Sequence, residues 1–173
     1  MILVTGGLGF IGSHTVVSLQ EKGHEVLIVD DLSNATIEVL DGIEAASGTR
    51  PKLEVLNLQD SVGVAEIFQA YNITGIIHFA AAKAVGESVQ KPIAYYQNNL
   101  GSLLNLLAEI EKSHKPIPFI FSSSCTVYGE AETLPITERA PIQPAMSPYG
   151  NTKQVGEEIL ADTVNALEGF RVI

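Results

Sequence analysis

Short, almost unbroken apolar runs alternate along this chain with longer stretches in which apolar residues recur every three or four positions. Strands covered by helices on both faces read as continuous apolar runs, so the alternation predicts an α/β fold built on a parallel sheet. The predicted strands cover 2–4, 25–29, 53–58, 75–79 and 118–121. Helices are predicted over 12–22, stopped by Gly23; over 60–71, with Asp60 or Ser61 as N-cap; over 92–112, with Pro92 in its first turn; and over 149–168, ending at Gly169. Residues 124–148 carry four prolines and no helical period, which predicts a long loop, and long loops in compact domains are usually functional. Residues 170–173 read as the opening of a sixth strand, so the expectation is a domain cut at that point.

At 173 residues the chain has the size of one domain. Hydrophobic residues make up 46% and charged residues 17%, enough apolar surface for a core and too little charge for intrinsic disorder. A net charge of −10 repels a phosphate backbone or an anionic bilayer at long range, which sets aside nucleic acid and membrane partners. Small anions stay accessible through local backbone dipoles. The single Cys125 cannot close an intrachain disulfide, and His14, His24, His78 and His114 lack zinc spacing, so no metal is expected. Met1 to Thr5 carries no basic leader, and the longest apolar region, 73–85, is interrupted by Thr74, Gly75, His78 and Lys83. A reduced, cytoplasmic chain is expected.

Gly6, Gly9 and Gly12 follow the first strand and open the first helix, the context a dinucleotide fingerprint requires. One glycine makes the tight turn, one admits a pyrophosphate close to the backbone, and Gly12 lets helix and strand pack closely. Helix N-terminal amides then stabilise phosphate charge. Asp30 and Asp31 close the second strand, where a carboxylate accepts hydrogen bonds from ribose hydroxyls and repels a 2′-phosphate; this favours NAD over NADP. Tyr149 and Lys153 stand one helical turn apart on one face. A free phenol loses its proton near pH 10, and a neighbouring ammonium favours phenolate, making Tyr149 a usable base. Ser122, Ser123 and Ser124 close the fifth strand at its carboxyl end, where open α/β sheets bind ligands, and a hydroxyl there can relay a proton.

The glycine pattern, the serine after strand five and the Tyr149/Lys153 pair resemble the extended short-chain dehydrogenase/reductase superfamily. Within it, the string from His78 to Pro92 (HFAAAKAVGESVQKP), followed by Tyr95, Tyr96, Asn98 and Asn99, is similar to the UDP-glucose 4-epimerase (UDP-galactose 4-epimerase) family. So is the string from Phe121 to Gly129, FSSSCTVYG. The resemblance covers essentially the whole chain. It implies a Rossmann-like doubly wound sheet, a tightly held NAD, and a UDP-sugar substrate that is transiently oxidised at C4 and reduced on its opposite face, a reaction of galactose metabolism. Tyr149, Lys153 and Ser124 are then the catalytic residues, with Lys83, Ser124 and Tyr149 against the substrate. The cofactor residues it implies are Gly6, Gly9, Phe10, Ile11 and Gly12 at the pyrophosphate, then Asp30, Asp31, Leu32, Ser33 and Asn34, then Asn57 and Leu58. Phe79, Ala80, Ala81, Ala82 and Lys83 lie along the cofactor, and Asn98, Ser122, Tyr149 and Lys153 near its nicotinamide half. Family members of this kind are expected to be homodimers.

Four departures accompany the resemblance. Asn57-Leu58 replaces the family's Asp-Ile or Asp-Val, though an amide carbonyl can still accept the adenine amino hydrogen. Asp31 stands where Asn is usual, and Gly101-Ser102 where Asn-Gly is usual. Family members continue for roughly as many residues again, so residues 1–173 are expected to be an incomplete NAD-binding domain without its C-terminal substrate domain, and inactive alone. Sugar-nucleotide dehydratases place an Asp-Glu pair beside the catalytic serine or threonine; here Cys125-Thr126 stands there, which argues against dehydration. An epimerase of another nucleotide sugar and a non-catalytic NAD-binding module compete with the first reading.

Overall fold

The computed structural model describes residues 1–131 and 133–173. Five strands, β1 (Ile2–Thr5), β2 (Val26–Asp30), β3 (Lys52–Val55), β4 (Gly75–His78) and β5 (Phe119–Phe121), form one all-parallel sheet in the order β3-β2-β1-β4-β5. The helices are α1 (Phe10–Glu21), α2 (Val39–Ser47), α3 (Ser61–Ala70), α4 (Val85–Gln90), α5 (Pro92–Ser113) and α6 (Pro148–Ala166). This is the expected Rossmann-like α/β architecture.

Side chains alternate between sheet faces, and the core splits accordingly. Leu3, Leu27, Val29, Ile76 and Phe119 pack against α3, α5 and α6 through Val64, Ile67, Leu103, Leu106, Ile110 and Leu160. Val4, Val26, Ile28 and Ile77 point the other way, onto α1 and α2 through Val16, Leu40 and Ile43. Asp60 caps α3 by accepting from the amides of Val62 and Gly63, as one of the two expected caps. Residues 170–173, expected to open a sixth strand, make a single isolated parallel bridge, Phe119 to Val172, rather than a strand of the sheet; Phe119 donates to the Arg171 carbonyl and Phe121 to the Ile173 carbonyl, each at 2.9 Å.

Three differences from the sequence expectation have local causes. α2 has no counterpart among the predicted helices, because Gly42 interrupts it and only Leu40 and Ile43 of its nine residues are buried. α4 is a six-residue helix containing Gly86, too short to show a period. β3 ends at Val55 rather than at 58, because Asn57 turns the chain there by accepting from the Gln59 amide at 2.9 Å. Among the described residues no helix is long and apolar enough to cross a membrane.

Candidate active site

The register places Thr5, His78 and Phe121 in one row at the carboxyl ends of β1, β4 and β5. They share the parity of Leu3, Ile76 and Phe119, so all three face α5 and α6. Asp30 shares the parity of Ile28 and faces α1 instead. One sheet edge is thereby divided into a cradle on the α1 side and a corner on the α6 side.

In the cradle, Gly6 has φ +65° and approaches the chain after β4 so closely that a Cβ would lie 2.8 Å from the Ala80 nitrogen. A Cβ on Gly12 would overlap the Gly6 carbonyl oxygen. Gly9 caps α1 without a side chain, so the first amides of the helix have no intrahelical partner and face the loop's mouth between the exposed Phe10 and Ile11. Gly12→Ala is expected to cost about 1 to 3 kcal/mol by forcing loop and helix apart. Thermal melts should show the loss, and dinucleotide titration a weakening of about ten-fold or more.

The buried Asp30 carboxylate accepts from the Leu8 amide at 3.1 Å and from the Leu32 amide at 3.0 Å, tying the glycine loop to the turn after β2. Each oxygen retains a lone pair for a ribose hydroxyl. Leu32 adopts φ +58°, and Asp31 accepts from the Ser33 amide (3.0 Å), the Ser33 hydroxyl (2.6 Å) and the Asn57 amide group (3.4 Å). The ends of β2 and β3 are therefore joined. Asn57 Oδ1, expected to be open to adenine, already accepts from Gln59 and keeps one further lone pair.

The corner is built on α6. Pro148 starts that helix and Ser147 caps it, accepting from the Gly150 amide at 3.1 Å. Gln154 donates to the Val127 carbonyl at 2.7 Å, holding the helix against the 3-10 turn Cys125–Tyr128. Lys153 is buried, its Nζ donating to the Ser122 carbonyl at 2.7 Å and lying 4.7 Å from the centre of the Phe121 ring. Burial lowers its proton affinity from the usual 10.5 to about 8, against the opposing pull of Glu157. One of its three N–H donors is used, so two are left for a ligand's hydroxyls. Ser124 Oγ accepts from the Thr126 hydroxyl at 3.0 Å and amide at 3.3 Å, which leaves its own proton to give. Among the described residues no hydrogen bond joins Ser124, Tyr149 and Lys153 directly; β5 and the start of α6 hold them in one corner.

Phe79, Ala80, Ala81 and Ala82 run half-buried from β4 toward α4, and Lys83 is exposed. What fixes this strip is Asn99, to which the sequence alone assigns no role. Its Oδ1 accepts from the Ala82 amide at 2.8 Å, and its amide group donates at 3.0 Å to both the Ala82 carbonyl and Thr152 Oγ1. Asn98 lies beside it, donating to Asn99 and accepting from Gln59. Tyr95, part of the string that carries the resemblance, is a second residue whose role only the structure gives: its buried hydroxyl accepts from the Ala84 amide at 3.0 Å and donates to Glu87 at 2.9 Å. His78, with Nδ1 2.7 Å from Thr5 Oγ1, is pushed by burial, and then by the Lys153 charge, to about 3.

The set fits a dinucleotide: open helix amides for a pyrophosphate, carboxylates at the end of β2, and a buried ammonium with spare donors. Comparison with known proteins agrees. The family model described as GDP-mannose 4,6 dehydratase matches residues 3–173. The chain is 45% identical over 172 residues to the UDP-glucose 4-epimerase of Erwinia amylovora, covering 99% of this chain and 51% of that protein. It is likewise 45% identical over 161 residues to the UDP-glucose 4-epimerase of Dictyostelium discoideum, covering 93% and 46%. The crystal structure of the Bifidobacterium longum UDP-glucose 4-epimerase in complex with NAD+ and UDP matches with a TM-score of 0.95 at 43% identity, over 99% of this chain and 51% of that one. The chain spans about half the length of the curated relatives it matches. With its cradle, its corner and nearly every residue inside the matched region, the chain belongs to the GDP-mannose 4,6 dehydratase family.

Proposed function

We propose that this chain is the NAD-binding portion, residues 1–173, of an enzyme that interconverts UDP-glucose and UDP-galactose, with the substrate domain supplied by further sequence. The observation that carries the reading is the corner itself: a phenol, a hydroxyl and a buried ammonium, set beside a glycine loop with open amides. Among members of the matched family, Ser124 followed by Cys125 and Thr126 favours epimerisation over dehydration. Its hydroxyl is engaged by Thr126, with no carboxylate bonded to it among the described residues.

Gly6 to Gly12 hold the pyrophosphate, Asp30 and Asp31 the adenosine ribose, and Lys153 the nicotinamide ribose through its two spare donors. NAD, when bound, supplies a reversible hydride acceptor for C4 of the sugar. Tyr149 exchanges a proton between its hydroxyl and the sugar 4-hydroxyl. Ser124 donates to the same oxygen, and Thr126 keeps it oriented to do so. Asn99 and Tyr95 hold the 79–84 strip as one wall. The whole protein, on the family resemblance, is a cytoplasmic homodimer of galactose metabolism that binds neither nucleic acid nor membrane.

Two measurements on the full-length protein test this. Titration should give tighter binding of NAD than of NADP, since the Asp30 and Asp31 carboxylates meet a 2′-phosphate in a poorly screened place. UDP-galactose should be converted to UDP-glucose with no net change in nicotinamide absorbance. Tighter NADP binding would remove the cofactor assignment, and a 4-keto-6-deoxy product would replace epimerisation by dehydration.

A further inference from the structure

Ser122, Ser123 and Ser124 leave β5 in succession, and each is fastened to a different group. The Ser122 carbonyl holds Lys153, and Ser124 accepts from Thr126. Ser123 donates its hydroxyl to Glu157 Oε1, a bond with no part in the reaction described above. Glu157 follows Lys153 by one helical turn, as Lys153 follows Tyr149, so the three share a face of α6. Both residues of the Ser123 and Glu157 pair thus neighbour those of the Ser122 and Lys153 pair, one step along the strand and one turn along the helix.

We propose that Glu157, held by Ser123, is a positioning residue whose carboxylate is the counter-charge of the buried Lys153 ammonium. The inference rests on the reading of Lys153 as a cofactor ligand. Burial works against the charged lysine, and Glu157 is the neighbour that works for it. Among the described residues the remaining groups around the corner do not supply that charge. His78 on β4 is neutral above about pH 3, β5 offers the Phe121 ring and a carbonyl, and α6 itself adds Tyr149. Tyr95 of α5 lies on the Tyr149 side. Glu87 of α4 is engaged by Lys91 and Tyr95, and the 3-10 turn carries Cys125 and Tyr128. An ammonium retained only to about pH 8 sits close to losing its proton at working pH, so the loss of one nearby negative charge changes how much of it is charged.

A clamp that merely pins α6 to β5 would use the same bond, and the two roles differ in how Lys153 titrates. Its proton affinity is read in the substrate-free full-length protein by trace acetic anhydride labelling across pH, with the Lys153 peptide quantified by mass spectrometry. Glu157→Gln preserves shape and an acceptor for Ser123 but removes the charge; Lys153 should then release its proton at lower pH, a loss of about three-fold or more in proton affinity. Glu157→Asp should restore most of it, Ser123→Ala should give a smaller loss, and the alkaline limit of NAD binding should move in step. An unchanged Lys153 titration in folded Glu157→Gln overturns the proposal. If that variant fails to fold, unchanged titration in Ser123→Ala does so. A shifted lysine in a protein that does not turn over UDP-galactose would instead fault the functional reading and leave the counter-charge standing.

Discussion

Tyr149→Phe in the full-length protein is expected to lower turnover of UDP-galactose by at least ~100-fold while leaving NAD bound, the size of effect a general base usually supplies. Binding and rate should separate because among the described residues the Tyr149 hydroxyl makes no hydrogen bond: its backbone carbonyl, not its phenol, accepts from Thr152 at 2.7 Å, and the helix start is capped by Ser147. Fluorescence titration with NAD and a coupled epimerase assay on the same preparation give both quantities. Near-normal turnover in the variant would remove Tyr149 from the chemistry. Turnover lost together with NAD binding would make it a cofactor residue alone.

A second large effect concerns acid. His78 is held at about 3, far below its ordinary 6.5, so below pH 6.5 the unfolded chain takes up a proton that the folded chain refuses. Stability from this group is complete above pH 6.5 and falls as pH drops toward 3, at up to about 1.4 kcal/mol per pH unit. The carboxyls held below their ordinary value of 4.5, Glu38 and Glu87, make their losses only beneath that pH. Between about pH 6.5 and 4.5 the buried histidine should therefore remove roughly 2 kcal/mol on its own. Urea unfolding at several pH values measures it. His78→Asn, which keeps a partner for Thr5 Oγ1, should be less stable at neutral pH yet lose much less on acidification through that window. A variant as acid-sensitive as the parent would place the titrating group elsewhere.

The glycine loop and the Tyr149/Lys153 pair are legible in the sequence because their meaning is local. A turn that only glycine can make and a one-turn spacing on a helix need no knowledge of the rest of the fold. The sheet is legible for a related reason: Val26 to Val29 and Gly75 to Ile77 are buried on both faces and read as unbroken apolar runs. Thr5 and His78 give no such signal. Their meaning comes from register, which puts two polar strand ends side by side beneath α6, and register is set by residues far away in sequence. Asn99 is hidden for the same reason, since an asparagine on a helix can face solvent or join two segments, and only packing decides. Asp30 is legible as the end of β2, but its support of the Leu8 and Leu32 amides follows from face parity within the sheet.

The cradle and the corner also differ in how much of the chain must exist before they can form. Asp30 reaches back only 22 residues to Leu8, so the loop and its anchor can close once the first βαβ unit is complete. The corner is joined by contacts across 73 residues between Thr5 and His78, 53 between Asn99 and Thr152, and 55 between Tyr96 and Asn151. A chain made from its N-terminus therefore gains the framework for a nucleotide early in its synthesis. The groups proposed to act on a substrate come together only after α6 has emerged and docked, which would confine the proposed proton-transfer chemistry to molecules whose sheet is already assembled.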